Sequence, residues 1–411
     1  MFGSRWRHGK VAGLAAAGAA LVIAAGAGVT LADGTAPPHP VATQAAAHLV
    51  VQQPAAARTA AEGPASQQPT VNRAAVPWGP VGPDWVLDTY STGTRTKPAP
   101  TTLYLVSPAG ARYPLLSWPV SATPAPAPVA WAGDKTEALF RLYLANGQLG
   151  GYGELNLTTG KMTRMAFASA ATTPVGYTLP TGAQVLGVTQ AGPDSDATVA
   201  RYTRAGALVK TLVAGVQGFS GVRYSPDGTK LAVSAPGGLL LVSNAGGVLR
   251  KLPVPGAGPK MSCGPVRWWN ATTILAGCGR LWLVPDTGAK PSALTPVREP
   301  GNPATDLGDI DAWQLPSGLY LQSLGACGTL ELNKQAANGS VARVTVPGMT
   351  DSPVVVTASG SQLLIEQRGC EGSGGQLAWF DPATSAEHWL FMTGAGSSAV
   401  AYDSPENGDV F

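Results

Sequence analysis

Charged residues are scarce in this chain. Only 12% of its 411 residues are Asp, Glu, Lys or Arg, and the formal net charge is +3. A net charge this small over this length provides no basic field for nucleic acid and no acidic field for a cationic partner. We therefore expect no nucleic-acid partner.

Histidine is also scarce. His8, His39 and His48 precede the predicted folded part, which leaves His388 within it. A Ser-His-acid triad would have to be built on His388, and both the Gly-x-Ser-x-Gly elbow and a phosphate-binding loop are missing from the sequence. Because His388 lies beside Trp389 in the outermost strand of a predicted repeat, we interpret it as a surface or packing residue. The sequence predicts no catalytic residue and no cofactor.

Glycine and proline are abundant, with 52 and 36 copies, and they separate short apolar segments. The clearest unit runs from Gly221 to Leu252. It predicts four antiparallel strands joined by tight turns such as Ser225–Gly228, where proline presets φ and glycine tolerates positive φ. The strands are Val222–Tyr224, Lys230–Ser234, Leu239–Val242 and Val248–Leu252. A sheet that is apolar on both faces needs a neighbouring sheet on each side.

The third strand of this unit recurs along the chain. Its copies are Leu103–Val106, Gly153–Asn156, Val199–Tyr202, Leu239–Val242, Leu281–Val284, Leu330–Asn333 and Leu377–Phe380. A spacing of roughly 40–50 residues is typical of propeller blades. The sequence therefore predicts an all-β fold over residues 81–411, a seven-bladed β-propeller of four-stranded antiparallel blades.

The segment Tyr224–Val233, with the sequence YSPDGTKLAV, resembles the repeat of TolB-type β-propellers. These proteins have WD40-like repeats and are common among exported bacterial proteins, and the resemblance is to an exported member of actinobacterial style. Only this repeat carries the motif in full, and the others keep its strand spacing. The resemblance implies the propeller fold, and in that family the motif residues form a turn without a catalytic role.

The start of the chain has the pattern of an export segment. Residues 1–10 are basic, and residues 11–32 are uncharged. This pattern predicts an N-terminal helix that is either a cleaved signal peptide or a retained membrane anchor, and the length of about 20 apolar residues favours the anchor. In that case residues 1–10 stay in the cytoplasm.

Residues 33–80 are rich in Ala and Pro and have four charged residues. Such a segment buries too little apolar surface to fold, so we predict a disordered linker. With the export segment, it places the propeller outside the cytoplasm, either anchored to the membrane or secreted.

All four cysteines lie in the second half of the predicted propeller. Cys278, Cys327 and Cys370 each follow the second strand of a repeat, and Cys263 precedes the first strand of one. The loop entering the first strand and the loop leaving the second lie on the same rim, so we predict the disulfides Cys263–Cys278 and Cys327–Cys370. The ligand spacing and histidines of a zinc site are missing, and no metal is predicted.

The two ends of the predicted propeller complement each other. The first repeat lacks an innermost strand, whereas Ala399–Asp403 repeats the first-strand pattern after the last repeat is complete. We predict that this C-terminal strand completes the first sheet and closes the ring, which removes exposed sheet edges.

Candidate binding residues gather on the rim that carries the cysteines. They are Arg280, Asp306, Asp309, Asp311, Arg368 and Glu371, with Glu299 upstream. Three neighbouring aspartates could hold Ca²⁺, but their spacing matches no established calcium loop, so we expect a solvated turn. The set predicts a mixed-charge surface suited to a protein or glycan partner.

Two functions fit these features. The first is an exported TolB-like propeller, a monomer that acts as a scaffold for a protein or cell-envelope component and uses no cofactor. The alternative is an extracellular propeller enzyme that acts on a sugar or polymer through carboxylates near the central channel. Scarce histidine and the missing nucleophile motif favour the scaffold, because function has to be argued from a site.

Overall fold

The computed structural model describes residues 76–401 except 83, 94–96, 121–123, 132–134, 193–194, 218, 258–261, 297–307, 326–328, 350–351, 369–373 and 392–397. The basic N-terminal end, the predicted export helix and residues 33–75 of the predicted linker lie outside the described residues, so these predictions stay predictions. Across the described ranges, no helix has the length and apolar character needed to cross a membrane.

The described chain forms six antiparallel sheets, numbered here I to VI. Sheet I contains β1 (Val86–Ser91), β2 (Thr101–Val106), β3 (Arg112–Trp118) and β28 (Ser398–Ala401). Sheet II contains β4 (Ala127–Trp131), β5 (Glu137–Tyr143), β6 (Leu149–Asn156) and β7 (Met162–Arg164). Sheet III contains β8 (Thr172–Tyr177), β9 (Val185–Thr189), β10 (Ala197–Tyr202) and β11 (Leu208–Val216).

Sheet IV is twice as wide. It contains β12 (Val222–Tyr224), β13 (Lys230–Pro236), β14 (Gly238–Ser243), β15 (Val248–Pro253), β16 (Ser262–Asn270), β17 (Thr273–Gly277), β18 (Leu281–Pro285) and β19 (Ser292–Ala293). Sheet V contains β20 (Gly308–Leu315), β21 (Gly318–Leu324), β22 (Leu330–Gln335) and β23 (Val341–Arg343). Sheet VI contains β24 (Ser352–Ser359), β25 (Gln362–Arg368), β26 (Gly374–Asp381) and β27 (Ala386–Phe391).

The prediction of seven separate four-stranded blades is wrong. The hydrogen bonds define five four-stranded blades and one eight-stranded sheet, sheet IV. In sheet IV the end of β13 pairs with the start of β16, with Ala235 opposite Cys263 and Pro236 opposite Ser262. The reason is strand length: β12 covers β13 only as far as Val233, which leaves the end of β13 with a free edge, and the overhanging start of β16 pairs with that edge.

Buried apolar side chains fill the space between neighbouring sheets. Leu87 of sheet I shares a cluster with Phe140 of sheet II, and Tyr320 of sheet V shares one with Leu363 of sheet VI. Successive side chains of a strand point to opposite faces, and here both faces are covered, which explains why the strands are nearly continuous apolar segments in the sequence.

The C-terminal strand closes the ring. β28 pairs with β1 in antiparallel register, with Val86 opposite Ala401 and Thr89 opposite Ser398. β28 is also in contact with β24 and β4, the first strands of the sheets on either side. The prediction that the C-terminal strand completes the N-terminal sheet is therefore confirmed.

The turn of the YSPDG motif has the predicted chemistry. Gly228 donates its N–H to the carbonyl of Ser225 at 2.8 Å and has a φ of +68°, which an L side chain rarely adopts. Asp227 Oδ1 accepts hydrogen bonds from the Ser225 hydroxyl at 2.6 Å and from the Thr229 N–H at 3.0 Å. These bonds stabilise the turn that connects β12 to β13.

Candidate functional site

The candidate site lies on the rim where first strands begin and second strands turn into third strands, called here the disulfide rim. Cys263 lies at the start of β16, and Cys278 follows β17. The two form a disulfide with a Cα–Cα distance of 4.7 Å, so the predicted pair is confirmed. Cys327 and Cys370 lie outside the described residues, and their pairing stays a prediction.

The disulfide lies where the two halves of sheet IV are joined by the pairing of β13 with β16. Cys263 pairs with Ala235 of β13 and is bonded to Cys278, so one residue ties three strand ends together. Both cysteines are buried in a cluster with Trp268 and Trp282. This part of the rim is therefore held by backbone pairing, a covalent bond and packing at once.

Asp309 belongs to a buried row of polar side chains across sheet V. Asp309, Ser323 and Glu331 lie directly opposite one another on β20, β21 and β22. The Ser323 hydroxyl donates to Asp309 Oδ1 at 2.8 Å, and the Asn333 amide donates to the Ser323 oxygen at 3.0 Å. The sequence predicts a solvated turn here, but Asp309 lies within a strand and is buried. A buried carboxylate requires donors of this kind.

The row ends in an ion pair at its outer side. Glu331 is buried, and Arg343 Nη1 lies 3.2 Å from its Oε1, while the Arg343 side chain is 65% exposed. The pair therefore presents a cation to solvent above a buried carboxylate.

Asp311 of β20 forms an ion pair with an arginine of β16, the first strand of the preceding repeat. Arg267 Nη2 lies 2.5 Å from Asp311 Oδ1 and also donates to the carbonyl of Ala312. The Arg267 guanidinium stacks over the Trp313 ring, 4.3 Å from its centroid. The first strands β16 and β20 are thus joined by a buried arginine that has both a charged and an aromatic partner.

Arg280 lies next to the disulfide, where its carbonyl accepts the N–H of Cys278 at 2.9 Å. It lies in the turn between β17 and β18, and its guanidinium covers the Trp282 ring at 4.4 Å. The stacking orients Arg280 and leaves part of its side chain exposed.

The remaining predicted site residues are divided between the described and the undescribed parts. Arg368 ends β25, where its backbone pairs with Ser352 and Gly374. Asp306 and Glu371 lie outside the described residues. Within the described part, no three His, Cys, Asp or Glu side chains form a metal-binding group. Because Asp309 is bonded to Ser323 and Asp311 to Arg267, calcium binding by these two is not proposed.

Three charged residues of this region escaped the sequence reasoning: Arg267, Glu331 and Arg343. Arg267 occupies the place in Val266–Trp268 that Arg223 occupies in Val222–Tyr224, and both arginines reach a backbone carbonyl of the following first strand. That repeated position is a usable signal. The Glu331–Arg343 pair has no such signal, because it depends on the register of β22.

His388 has no role in this site. It lies on β27, the outermost strand of sheet VI, opposite Trp379, and it is exposed. The interpretation of His388 as a surface residue is confirmed.

The comparisons with known proteins concern the fold. No known family profile and no curated protein matches the sequence. Among solved structures, the fold resembles puromycin hydrolase, with a TM-score of 0.50, 16% identity and coverage of 80% of this chain and 56% of that one. A structure from a study of two prolyl endopeptidases has a TM-score of 0.49, 14% identity and coverage of 78% and 51%.

TolB from Acinetobacter baumannii is a further structural neighbour, with a TM-score of 0.42, 13% identity and coverage of 77% of this chain and 66% of that one. The chain spans about half the length of the first two structures, with 51% and 56% covered. At these identities the likeness shows the fold alone: the chain is an all-β propeller.

Proposed function

We propose that this protein is an exported propeller of the TolB type whose disulfide rim is a rigid binding surface for a protein or cell-envelope component. The disulfide supports an extracytoplasmic location, because such bonds persist in oxidising compartments. The predicted export segment and linker would keep the propeller on the outer side of a membrane or release it.

The main support for this proposal is that charged groups on the disulfide rim are already held by partners within the protein. Asp311 is paired with Arg267, Glu331 with Arg343, and Arg280 is stacked on Trp282. Charged groups that are oriented in advance by such partners lose little freedom when a partner docks, which favours recognition.

The same arrangement disfavours the enzyme alternative. Glycoside cleavage needs two carboxyl groups that flank a substrate and exchange protons with it. The two first-strand carboxylates described near the rim, Asp309 and Asp311, are bonded to Ser323 and Arg267 instead. Puromycin hydrolase and the prolyl endopeptidases share the fold with this chain, but fold does not transfer an activity.

Charge reversal at Arg280 tests the proposal. Full-length protein and its Arg280→Glu variant would each be immobilised and incubated with solubilised proteins of the source cell envelope, and retained proteins would be quantified by mass spectrometry. We expect at least one partner that the wild type retains and the variant loses by about tenfold or more, as for a charge at the core of an interface.

Lys290→Glu is the matched control. It makes the same change of charge in sheet IV, in an exposed turn between β18 and β19 on the opposite rim. The control should retain the partner, and both variants should melt like the wild type. Equal retention by wild type and Arg280→Glu, or equal loss in both variants, would contradict binding through the disulfide rim.

A further inference from the structure

Positive charge is concentrated in one part of the propeller. From Ala197 to Pro285 the chain has ten Lys and Arg residues and a single acidic residue, Asp227. This excess of nine positive charges is larger than the +3 of the whole chain, so the rest of the protein is net acidic. The small net charge therefore conceals a basic stretch of the chain, which covers β10 and β11 of sheet III and most of sheet IV.

Some of these cations are used inside the fold. Arg204 is paired with Glu137 and Glu154 of sheet II, Lys230 with Asp286, and Arg267 with Asp311, as the ion pairs of the described part show. Asp227 in turn is held by Ser225 and Thr229.

Three of the other cations face outward on two neighbouring outer strands, β11 and β15. The start of β11 and the start of β15 are exposed throughout, over residues 207–211 and 247–251, and we call these two segments together the basic wall. It carries three cations, Lys210, Arg250 and Lys251. None of the three has an acidic partner among the described residues, and Arg250 donates to the backbone carbonyl of Thr287.

The same two segments hold four of the exposed large apolar side chains of the described structure. Leu208, Val209, Val248 and Leu249 are between 43% and 60% exposed. In both segments two aliphatic residues are followed directly by a cation, as LVK in β11 and as VLRK in β15. Exposed apolar side chains grouped in this way mark an interaction surface, whereas single ones do not.

The two halves of the basic wall are in contact. The N–H of Gly247 donates to the carbonyl of Leu212 at 2.9 Å, which ties the turn before β15 to β11. The Lys210 side chain lies against Gly246, where an added Cβ would be 3.2 Å from the Lys210 Cε. The turn that leads into β15 therefore lies against Lys210 and Leu212 of β11, at the boundary between sheets III and IV.

We propose that the basic wall docks on an anionic lipid surface. Aliphatic side chains that protrude beside cations fit the boundary between lipid headgroups and acyl chains, where apolar insertion and attraction to anionic headgroups add up. A nucleic acid would use the cations but would leave the four aliphatic side chains exposed to water. The basic wall lies on the side of the molecule rather than on the disulfide rim, so lipid docking leaves that rim accessible.

Hydrogen exchange of the full-length protein on vesicles tests this proposal. The protein would be measured alone, with vesicles of phosphatidylcholine, and with vesicles of phosphatidylcholine mixed with phosphatidylglycerol. We expect the amides of residues 207–211 and 247–251 to exchange about tenfold more slowly on the anionic vesicles only, and high salt should remove the effect. The readout is local, so binding through residues 11–32 does not produce it.

Two variants and one control complete the test. Lys210→Ser/Arg250→Ser/Lys251→Ser should raise the concentration of anionic lipid needed for half of the protection by about a hundredfold, because each lost cation weakens binding by about fivefold. Leu208→Ser/Val209→Ser/Val248→Ser/Leu249→Ser should also abolish the protection. The control, Leu144→Ser/Leu149→Ser, changes two similarly exposed aliphatic residues at the turn between β5 and β6 and should behave as the wild type. All variants should keep the wild-type melting temperature.

Three results would overturn the proposal. The first is that anionic vesicles do not slow amide exchange in the two segments. The second is that phosphatidylcholine vesicles slow it equally. The third is that DNA or polyglutamate slows it and vesicles do not. The last result would assign the basic wall to a different anionic partner or to an acidic protein.

Discussion

At the scale of single residues, the YSPDG turn shows how polar side chains replace packing where the chain reverses. Asp227 is exposed, yet three hydrogen bonds converge on its Oδ1, from the Ser225 hydroxyl, the Thr229 hydroxyl and the Thr229 N–H. The first of these is the largest cause of a lowered pKa of the Asp227 carboxyl, from 3.8 to about 2. The turn therefore binds the ionised form of the side chain.

This pKa shift predicts a pH dependence of stability. Because the folded state lowers the pKa, the contribution of Asp227 is complete above about pH 4 and is lost as the pH falls towards about 2. Asp227→Asn should therefore be less stable than the wild type at neutral pH, and the difference should shrink between pH 4 and pH 2. Urea unfolding at a series of pH values measures it.

The exposed Asp196 provides a comparison, because Asp196→Asn removes a carboxylate from the turn before β10 without touching the YSPDG turn. A difference between wild type and Asp227→Asn that stays constant down to pH 2 would show that the carboxylate is not what the turn holds.

Alanine substitutions at two glycines distinguish the cost of a strained backbone from the cost of close packing. Gly228 has a φ of +68°, and a Cβ there would lie 2.7 Å from the Leu179 Cβ, whereas Gly237 has a φ of +77° with nothing within 4 Å. Gly237→Ala should cost about 1–2 kcal/mol of unfolding free energy from the left-handed backbone alone. Gly228→Ala should cost at least about 1 kcal/mol more, because it also overpacks the contact between sheets III and IV. Equal losses in denaturant unfolding would contradict the contact with Leu179.

At the scale of strands and sheets, the repeat is largely predictable from the sequence. The predicted Val222–Tyr224 is observed unchanged, and Lys230–Ser234 differs from the observed Lys230–Pro236 by two residues at its end. Alternating turn and apolar segments are local signals, so they place strands well. The small difference matters, because Ala235 and Pro236 are the residues that pair with β16.

The pairings that escaped prediction depend on register. A bulge at Ile310 shifts the pairing of β20, so that Asp309 faces Ser323 while Asp311 faces Gln322. A bulge of this kind has no clear sequence signature, and it decides which aspartate is buried in sheet V and which one meets Arg267. Sequence reasoning could therefore locate the aspartates on the rim but could not assign their partners.

The disulfide and the β13–β16 pairing are expected to stabilise each other. Cys263→Ser/Cys278→Ser should lower the unfolding free energy by about 3 kcal/mol, from the entropy of a loop of 15 residues. In hydrogen exchange, the amides around Ala235 should become less protected, while those of β21 in sheet V should change little. Unchanged protection at Ala235 would show that the backbone pairing of sheet IV does not depend on the covalent bond.

At the scale of the whole molecule, stability depends on closure at the C-terminal end. β28 is short, yet it covers β1 at four residue pairs and fills the innermost position between β24 and β4. Without it, β1 would present a free edge to solvent, and the first sheet would lack its inner strand.

Truncation tests closure directly. Deletion of residues 398–411 should cost roughly 4 kcal/mol or more, at about 1 kcal/mol for each lost backbone hydrogen bond, and should lower the melting temperature by on the order of 10 °C. Deletion of 402–411 is the matched control, since it leaves all four pairs between β28 and β1 in place. If the two truncated proteins have the same melting temperature, β28 does not stabilise the propeller. The ring would then be closed by packing between the sheets alone.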